Sequence, residues 1–577
     1  MTSARYVDAG DGIRIAVYEE GNPDGPPLVM AHGWPDSHAL WDGVVAELSD
    51  RFRIIRYDNR GVGASTVPRP VREYTMARLA DDFAAVVAEL SPGVPVHVLA
   101  HDWGSVATWE YLSRPAATAT VASFTSVSGP STDHYGAFIF DGLTRPYRPL
   151  RFARAVGLAA RMAYWFPFSV PVLAPAAMRA GLARRLQAKD SPGAPKYRGE
   201  NFDDDAANSM KIYRAIAFRA PTVRRDHYVS VPVQLICNDN DPVVRGYGFT
   251  DEAKWTSRLW RRDLKAGHWA PFSHAPAIAR AVVELVDHLE GAPAARALRR
   301  AEVGRVRGLF GDTLVSVTGA GSGIGRATAL AFAAEGAEVI VSDIDEAGAK
   351  QTAATVTARG GAAHAYVLDV ADAEAVQRFA DEVCATHGVP DVVVNNAGVG
   401  QAGPFLDTPP AEFDRVLDVN LGGVVNGCRA FAAKMVQQGT GGHLVNIASM
   451  AAYAPFGSMN AYCTSKAAVY MFSDCLRAEL ASAGIGLTTV CPGAVDTNIV
   501  AATRFDIDPD AGEAARARAQ KVFLRRGYSA DKAAKAILAA VRNDTAILPV
   551  TPEAQVVYGL SRLLPGALRR AARAEAF

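Results

Sequence analysis

The sequence predicts an α/β protein of two domains, each organised around a mostly parallel sheet. Short runs rich in Val, Leu and Ile alternate with longer segments of helical period, as parallel strands joined by crossover helices require. This alternation occurs twice, and an Ala- and Arg-rich stretch at 291–310, interpreted as a linker, separates the two series. With 577 residues, the chain is also too long for one core of the usual ~100–200 residues.

The first series, in residues 1–290, is interrupted by a long segment without strand-like runs. Its apolar runs lie at 28–31, 53–57, 96–100 and 233–236. Between about residues 129 and 228, Arg, Ala, Tyr, Phe and Pro replace the Val and Ile of the strands. We therefore expect a helical cap inserted in the first sheet.

The second series, in residues 311–577, shows regular alternation. Its strand-like runs lie at 313–318, 339–343, 365–369, 392–395, 444–449 and 486–491. Because helical segments separate consecutive runs, this half predicts a doubly wound parallel sheet.

Composition limits the classes of partner. Lys and Arg total 60, as do Asp and Glu, so no net basic charge favours a nucleic-acid partner. The six cysteines show no metal-ligand spacing, which predicts free thiols and no metal site. The amino terminus has no apolar core of signal-peptide length, and no apolar stretch is long enough to span a bilayer, so we expect a cytoplasmic protein.

The carboxyl-terminal segment 556–577 combines apolar and basic residues at helical spacings. They are Leu563, Leu564 and Leu568 with Arg562, Arg569, Arg570 and Arg573. Such a segment can lie on an anionic membrane surface, which would make the protein peripherally membrane-associated. The alternative is a terminal helix that packs on its own domain or on a partner subunit.

The segment Ala100-His-Asp-Trp-Gly-Ser105 places an aspartate between a predicted strand and a predicted helix. Small residues at Ala100 and Gly104 permit the tight strand-to-helix elbow on which many hydrolases present their nucleophile. A carboxylate nucleophile attacks a strained or activated carbon and forms an alkyl ester, whose carbonyl an activated water then attacks. Asp102 therefore indicates epoxides or halides as substrates.

A histidine and a second acid are needed to activate that water. His268, in a Gly-His-Trp segment, is the candidate base, and Asp241 is the candidate that orients it, with Asp239 as the alternative. The backbone amides of Trp34, in His-Gly-Trp-Pro, and of Trp103, which follows the nucleophile, are the candidate oxyanion donors.

These segments resemble the epoxide-hydrolase branch of the α/β-hydrolases over roughly residues 5–290. The resemblance implies an α/β-hydrolase fold with a helical cap and two cap tyrosines that hydrogen-bond the epoxide oxygen, for which Tyr164 and Tyr213 are the candidates. Lys211 and Ile212 depart from the Asn-Trp that usually precedes the second tyrosine. Haloalkane dehalogenases are the alternative, but they usually carry asparagine where Trp34 stands and need no tyrosine pair.

A glycine-rich loop, Thr318-Gly-Ala-Gly-Ser-Gly-Ile-Gly325, follows the first strand-like run of the second half. Its glycines let the backbone approach a pyrophosphate held at a helix amino terminus.

The region from 312 to about 550 resembles the short-chain dehydrogenase/reductases, whose sheet is of Rossmann type. The glycine loop carries this resemblance together with Asn395-Asn-Ala-Gly398, Asn420, Ser449 and Tyr462-Cys-Thr-Ser-Lys466. The candidate cofactor-binding residues are Thr318, Gly319, Gly323, Ile324, Gly325, Asp343, Asp369, Val370, Asn396, Ala397, Gly398, Tyr462, Lys466, Pro492, Gly493 and Thr497.

Tyr462 is the candidate acid/base of the second half. A phenol has a pKa of about 10, so it needs a nearby cation to act at neutral pH. Lys466 lies one helical turn on, where its ammonium is expected to favour the phenolate and to reach the nicotinamide ribose. Ser449 is expected to hydrogen-bond the substrate oxygen, and the resemblance gives Asn420 a place in a water-linked proton path behind Lys466.

Asp343, at the end of the second strand-like run, predicts the choice of cofactor. A carboxylate there can bind the ribose 2′-hydroxyl of NAD and repels the 2′-phosphate of NADP. Ser322, in the glycine loop, is uncharged where relatives that prefer NADP often carry a basic residue. NAD is therefore expected, with NADP as the less favoured alternative.

The two predicted chemistries can be consecutive, since epoxide hydrolysis yields a diol whose secondary alcohol a dehydrogenase can oxidise. The arrangement resembles a group of two-domain actinobacterial proteins that join an epoxide-hydrolase-like half to a short-chain dehydrogenase. Cap residues such as Trp165 and Phe168 predict an apolar small-molecule or lipid substrate. The alternative is a non-catalytic first half that delivers lipid to the dehydrogenase, and the resemblance also implies a homo-oligomer formed through the second domain.

Overall fold

The computed structural model describes residues 4–217, 227–497, 499–506 and 509–572. The chain divides into two compact units, Met1–Arg305 and Val306–Phe577. Both units are α/β, and the expected fold class is confirmed for each.

The first unit is built on a twisted sheet whose described strands are ordered β1-β2-β4-β3-β5-β6-β7-β8. The strands β1 and β2 pair antiparallel at one edge, β2 pairs antiparallel with β4, and all later pairs are parallel. Their bounds are β1 Arg5–Asp8, β2 Arg14–Gly21, β3 Pro27–Ala31, β4 Arg53–Tyr57, β5 Val96–His101, β6 Val121–Val127, β7 Val233–Asn238 and β8 Leu259–Leu264.

Helices cover both faces of this sheet. Because both faces are covered, the central strand β5 is buried along its whole length. The described helices are α1 Asp42–Leu48, α2 Met76–Leu90, α3 Asp102–Leu112, α4 Ala117–Thr120, α5 Thr132–Leu143, α6 Pro149–Arg161, α7 Trp165–Phe168, α8 Leu173–Arg179, α9 Leu182–Asp190, α10 Phe202–Ser209, α11 Lys211–Ala217, α12 Ala270–Ser273, α13 Ala275–Leu289 and α14 Arg296–Ala301.

The described chain between β6 and β7 is dominated by helices, from α5 to α11. The first of them, α5, buries Tyr135 and Phe138 in the core of the sheet, so it belongs to the body of the unit. The helices that follow build a separate apolar cluster with Trp34 and Trp103 beneath them. Residues 218–226 of the predicted cap lie outside the described residues.

The stretch 291–310, predicted as a linker, is partly helical. Its helix α14 packs Leu298 and Ala301 against Trp260 and Leu285. These apolar contacts attach the beginning of the stretch to the first unit, whose boundary falls after Arg305.

The second unit is a fully parallel sheet ordered β11-β10-β9-β12-β14-β15-β17, with a small parallel pair, β13 and β16, beside it. The strand order reverses between β9 and β12, and open α/β sheets bind ligands at such a reversal. The described strands are β9 Leu314–Thr318, β10 Glu338–Asp343, β11 Ala362–Val367, β12 Val392–Asn395, β13 Gln401–Ala402, β14 Gly442–Ile447, β15 Ile485–Cys491, β16 Arg504–Phe505 and β17 Ile547–Pro549.

Helices pack on both faces of the second sheet over two apolar cores, one on each side. A π-helical turn at Asp418–Gly422 joins the eighteenth and nineteenth helices of the chain. The described helices are α15 Gly323–Ala334, α16 Glu346–Ala358, α17 Ala373–His387, α18 Pro410–Leu417, α19 Gly423–Gln438, α20 Asn460–Leu480, α21 Ile499–Ala502, α22 Pro509–Arg526, α23 Ala530–Arg542, α24 Pro552–Leu563 and α25 Pro565–Ala571.

In the described ranges, no single helix has both the length and the apolar character needed to cross a membrane. One bent pair, Pro149–Phe168 with Leu173–Arg179, meets the length and composition requirements together. In the terminal segment, Arg562 donates to the Tyr470 hydroxyl (2.7 Å), so this arginine faces its own unit. Leu563 and Leu564 are exposed, and Arg573 lies outside the described residues.

Candidate active sites

Asp102 begins α3 directly after β5 and has a positive φ of 48°. An L residue rarely adopts this conformation, so it must be held by its surroundings. A Cβ at position 104 would lie 2.4 Å from the His32 carbonyl oxygen, and one at position 129 would lie 2.4 Å from the Asp102 carbonyl oxygen. The two glycines therefore allow the sharp elbow that presents the Asp102 carboxylate.

His268 and Asp241 come from the loops after β8 and β7 and meet beside Asp102. The Asp241 carboxylate lies 2.7 Å from His268 Nδ1, and its other oxygen accepts hydrogen bonds from two backbone amides. His268 Nε2 lies 3.8 Å from an Asp102 oxygen. The alternative acid, Asp239, instead pairs with Lys265 (2.5 Å), so the structure brings Asp241 and not Asp239 to the imidazole.

The amides of Trp34 and Trp103 both donate to the Asp102 carboxylate, the Trp34 amide at 3.0 Å from Oδ2. This places both oxyanion-donor candidates on an oxygen of the nucleophile itself. The amides are thus positioned to stabilise negative charge that develops on an ester carbonyl made from Asp102.

Burial and neighbouring charges act in opposite directions on the pKa values of Asp102 and His268. Burial raises the pKa of the Asp102 carboxyl to about 6, although His268 opposes that rise. Burial disfavours charge on His268, but the charge and hydrogen bond of Asp241, together with Asp102, raise its pKa to about 10. The resting pair near neutral pH is therefore an aspartate beside an imidazolium.

The two candidate tyrosines of the cap lie together above the nucleophile. The ring centres of Tyr164 and Tyr213 are 5.8 Å apart in an edge-on contact, and Tyr213 also packs edge-on against Trp103 (5.5 Å) and Trp34 (5.4 Å). Burial and the charge of Asp102 raise the pKa of both phenols. Both hydroxyls are therefore protonated donors in the field of the Asp102 carboxylate.

Two further carboxylates hold the histidine loop and have no sequence signature that could have identified them. Asp190, at the end of α9, accepts hydrogen bonds from the amides of His268 (2.8 Å) and Trp269 (2.9 Å). Asp36 accepts from the indole of Trp269 (2.8 Å), and burial raises its pKa to about 7. Asp190 lies 78 residues before His268, so only the folded chain shows the contact.

A cavity of about 1410 Å³ opens at the strand reversal of the second unit. Fourteen of the sixteen candidate cofactor-binding residues line it, together with Ser322 and Ser449: Gly319, Gly323, Ile324, Asp343, Asp369, Val370, Asn396, Ala397, Gly398, Tyr462, Lys466, Pro492, Gly493 and Thr497. Gly319 has a φ of +61°, and a Cβ there would lie 2.7 Å from Ala397. The glycine loop and the amino terminus of α15 thus form a backbone cradle that fits a pyrophosphate.

Thr318 and Gly325 are the two candidates that do not line the cavity, so their role as cofactor contacts stays a prediction. The Thr318 hydroxyl accepts from the amides of Asn396 (3.0 Å) and Ala397 (3.2 Å). A Cβ on Gly325 would lie 2.2 Å from the Gly319 carbonyl oxygen. Both residues therefore hold the glycine loop and the Asn-Ala-Gly segment in place from behind.

Tyr462 and Ser449 meet at the inner end of this cavity, where their side chains are hydrogen-bonded. Burial raises the pKa of Tyr462, and the Ser449 bond opposes that rise. The expected lowering by Lys466 is not seen, because Lys466 Nζ lies 5.8 Å from the ring centre and donates to the Ile447 carbonyl (2.9 Å). Burial also lowers the pKa of Lys466 to about 8.

Asn420 lies in the π-helical turn, behind the cavity wall. Its amide bonds both backbone groups of Val399, at 2.8 Å and 3.0 Å, and the Ser465 hydroxyl at 3.1 Å. A Cβ on Gly398 would lie 3.0 Å from the Asn420 side-chain oxygen and 3.4 Å from Lys466 Nζ. Gly398 therefore separates Asn420 from Lys466, and the two side chains approach the same point from opposite sides.

Asp343 is oriented by the glycine loop. Its two carboxylate oxygens accept from the Gly321 amide (2.8 Å) and the Asp345 amide (2.9 Å). It lines the cavity on the side of the glycine loop. A fixed carboxylate at this place fits an adenosine ribose that carries a free 2′-hydroxyl.

Comparisons with known proteins agree with this two-unit organisation. The family model described as alpha/beta hydrolase fold matches residues 26–275, and that described as short chain dehydrogenase matches residues 313–508. The "D-threitol dehydrogenase" of Mycolicibacterium smegmatis is 39% identical over 183 residues, covering 32% of this chain and 70% of that protein. These matches support an enzyme with a hydrolase-fold domain, a dehydrogenase domain and a nicotinamide cofactor.

Two further similarities were found. A solved short chain dehydrogenase/reductase from Burkholderia phymatum, in complex with NAD, is 29% identical, covers 45% of this chain and 96% of its own, and has a TM-score of 0.42. The "Probable oxidoreductase EphD" of Mycobacterium tuberculosis is 60% identical over 581 residues, covering 99% of this chain and 98% of that protein. The chain therefore belongs to the family of two-domain proteins that join an α/β-hydrolase domain to a short-chain dehydrogenase domain.

Proposed function

We propose that the protein hydrolyses an apolar epoxide to a diol in its first unit and interconverts a secondary alcohol and a ketone, with NAD, in its second. The observation that carries the first activity is the pair of backbone amides aimed at the Asp102 carboxylate. They support an ester formed on Asp102 itself, because the oxyanion of its hydrolysis would develop on that carboxyl group.

In the first step, an Asp102 oxygen attacks one epoxide carbon and the bond from that carbon to the epoxide oxygen breaks. The freed oxygen takes a proton from Tyr164 or Tyr213, whose raised pKa values keep them protonated until then. The imidazolium of His268 restores that proton, directly or through solvent. The products of this step are a hydroxyalkyl ester of Asp102 and a neutral His268.

In the second step, neutral His268 takes a proton from water, and the hydroxide attacks the ester carbonyl. Loss of the Asp102 charge lowers the pKa of His268, since that charge is one of the influences that raise it. The Trp34 and Trp103 amides stabilise the oxyanion until the diol leaves with a proton from His268. The carboxyl proton of Asp102 then returns to His268, which restores the resting pair.

In the second unit, the residues present fit a nicotinamide dinucleotide, which supplies hydride transfer when bound. The Tyr462 hydroxyl holds and moves the proton at the substrate oxygen, and Ser449 hydrogen-bonds that oxygen. Asp343 favours NAD over NADP because its carboxylate repels a 2′-phosphate. The raised pKa of Tyr462 makes it a proton donor at neutral pH in the absence of a closer cation.

The substrate class is apolar or lipid. In the first unit, the rings of Trp34, Phe168 and Tyr213 surround the nucleophile. In the second, the cavity exceeds the usual range of about 300–1,000 Å³ for ligand pockets, and Phe456, Met459 and Phe505 line it beyond the cofactor-binding candidates. Both sites therefore favour an apolar substrate, and the diol from the first is the proposed substrate of the second.

The test is mass spectrometry of long-chain epoxides incubated with the full-length protein, with and without NAD. We expect diol in both cases and hydroxyketone only with NAD. An Asp102→Ala variant should lose diol formation but still oxidise added diol, and a Tyr462→Phe variant should show the reverse. Diol without ketone would mean independent units, and no diol from any epoxide would favour the dehalogenase or the lipid-binding alternative for the first unit.

A further inference from the structure

The first unit exposes many large apolar side chains within one short stretch, which begins near the end of α5 and continues through the helices of the cap. Between residues 140 and 173, the six most exposed are 59% to 78% accessible to solvent: Phe140, Tyr147, Leu150, Phe166, Val172 and Leu173. We call these six residues the cap surface. Single exposed apolar residues are ordinary, but this many within 34 residues of one segment indicate an interaction site.

The same stretch is strongly basic. Residues 140–179 contain six arginines and no lysine, glutamate or aspartate other than Asp141. Three of these arginines are ion-paired: Arg145 and Arg151 with Asp141, Arg151 also with Asp251, and Arg179 with Asp204. Among the described residues, no carboxylate lies within ion-pair distance of Arg148 or Arg154, whose guanidinium groups rest over tyrosine rings. The same stretch as the cap surface therefore carries at least two positive charges, on Arg148 and Arg154, that no carboxylate of the described residues neutralises.

The two helices α6 and α8, which carry Leu150 and Leu173 of the cap surface, already pack against the rest of the unit through other side chains. Ala155 and Leu158 of α6 and Ala174 and Met178 of α8 are fully or almost fully buried. Leu150 and Leu173 of the same helices face solvent. A helix that is apolar on two sides needs a second apolar environment in addition to the core of its own domain.

We propose that the cap surface docks on a bilayer that contains anionic lipids. Apolar side chains flanked by arginines are the composition of segments that lie in the membrane interface, where the chains insert and the guanidinium groups meet phosphate. A bilayer satisfies both the apolar and the cationic groups, and this charge complementarity selects it over a neutral apolar partner.

This docking would place the membrane beside the first candidate site. Phe166 of the cap surface follows Trp165, whose ring packs 5.6 Å from that of Trp103. Tyr164, one of the two candidate proton donors, precedes Trp165 in the same segment. Delivery of substrate from the bilayer rests on the proposed function, whereas the docking itself does not and is measured without any substrate.

The test is flotation of the full-length protein with vesicles of phosphatidylcholine alone or of phosphatidylcholine and phosphatidylglycerol in equal parts. We expect binding to the mixed vesicles, at least about tenfold weaker binding to the neutral ones, and loss of binding at high salt. Leu150→Ser with Leu173→Ser should weaken binding about tenfold or more, as should Arg148→Gln with Arg154→Gln. All four positions are exposed, and thermal unfolding of each variant checks the fold.

A matched control is Leu563→Ser with Leu564→Ser, which removes two exposed leucines from the terminal segment. We expect this variant to bind as the unchanged protein does. The proposal is overturned if the unchanged protein does not bind mixed vesicles, or if the terminal variant loses binding while both cap variants keep it. It is equally overturned if the leucine variant of the cap alters only the oligomeric state in sedimentation, which would make the cap surface an interface between copies.

Discussion

The two candidate sites occupy the same kind of place, the carboxyl edge of a parallel sheet, but they hold charge in different ways. The first buries Asp102, His268 and Asp241, contributed by the ends of three different strands, and its pKa values result from burial opposed by charge pairs. The second places Tyr462 and Lys466 on the single helix α20, and burial is the largest influence that moves both pKa values toward the neutral forms.

This difference shows what each chemistry requires. In the resting first site, a carboxylate nucleophile and an imidazolium are both charged in a buried place, so each charge needs a partner within about 4 Å. Proton transfer by a phenol needs one hydroxyl group at the right position, which gives its proton to the substrate oxygen in reduction and, as phenolate, takes it in oxidation. The reacting groups of the first site are therefore brought together by contacts between distant segments, whereas Tyr462 and Lys466 of the second are brought together by their spacing on one helix.

The largest expected effect comes from removing one chemical group from each site in turn. Asp102→Ala should lower epoxide hydrolysis by at least about a thousandfold, since no other group can form the ester. Tyr462→Phe should lower alcohol oxidation by a similar factor. Each variant should keep the other activity within about twofold, measured as kcat/KM with an epoxide and with an isolated diol. Loss of both activities in either variant would break the comparison of two separate sites.

The second effect concerns the charge pair of the first site. Asp241→Asn should slow hydrolysis of the Asp102 ester by about a hundredfold to ten-thousandfold. Ester formation should then be faster than ester hydrolysis, so the ester should accumulate. Asp239→Asn is the matched control, because Asp239 follows the same strand but pairs with Lys265. Rapid-quench mass spectrometry of the intact protein measures the ester. Equal effects of the two substitutions would contradict the assignment of Asp241.

The third effect concerns the choice between NAD and NADP in the second site. Asp343→Asn keeps an acceptor for the Gly321 amide but removes the charge, so kcat/KM with NADP should rise relative to NAD by about tenfold or more. Asp345→Asn serves as the control, because Asp345 caps α16 and Asn is also a good cap. An unchanged cofactor ratio in the Asp343 variant would show that the carboxylate does not face the ribose.

The smallest effect is a pH dependence of the first site in the acid range. Asp102 must be ionised to attack, and its raised pKa of about 6 means that it takes up a proton as the pH falls below that value. The single-turnover rate of ester formation should thus rise with pH and level off above about pH 6, rather than near pH 4 as for an ordinary carboxyl. A rate that is constant down to pH 5 would contradict the raised pKa.

Much of the second site could be predicted from the sequence because its groups are close along the chain. The spacing of Tyr462 and Lys466 places them on one helix face, and the glycine loop follows its strand directly. The direction of the Tyr462 pKa shift could not be predicted, since burial depends on packing from distant segments. The contacts of Thr318 with the Asn396 and Ala397 amides could not be predicted either, since they join residues 78 and 79 positions apart.

The first site was less accessible to prediction. Asp102 and the Trp34 amide belong to recognisable segments, but the contact of Asp190 with the His268 loop joins a cap helix to a distant turn. The strand β6, Val121–Val127, was not identified, because Ser and Thr interrupt its apolar pattern. The edge strands β1 and β2 likewise carry too many polar residues to give a continuous apolar run.

The most direct test of the central claim is a single turnover of a long-chain epoxide in ¹⁸O-water, followed by digestion and mass spectrometry of the peptide that contains Asp102. The account predicts ¹⁸O in the Asp102 carboxylate, because water attacks the carbonyl of the ester and one of its oxygens remains on the aspartate. Label found only in the diol, with none in Asp102, would mean direct attack of water on the epoxide and would contradict the account.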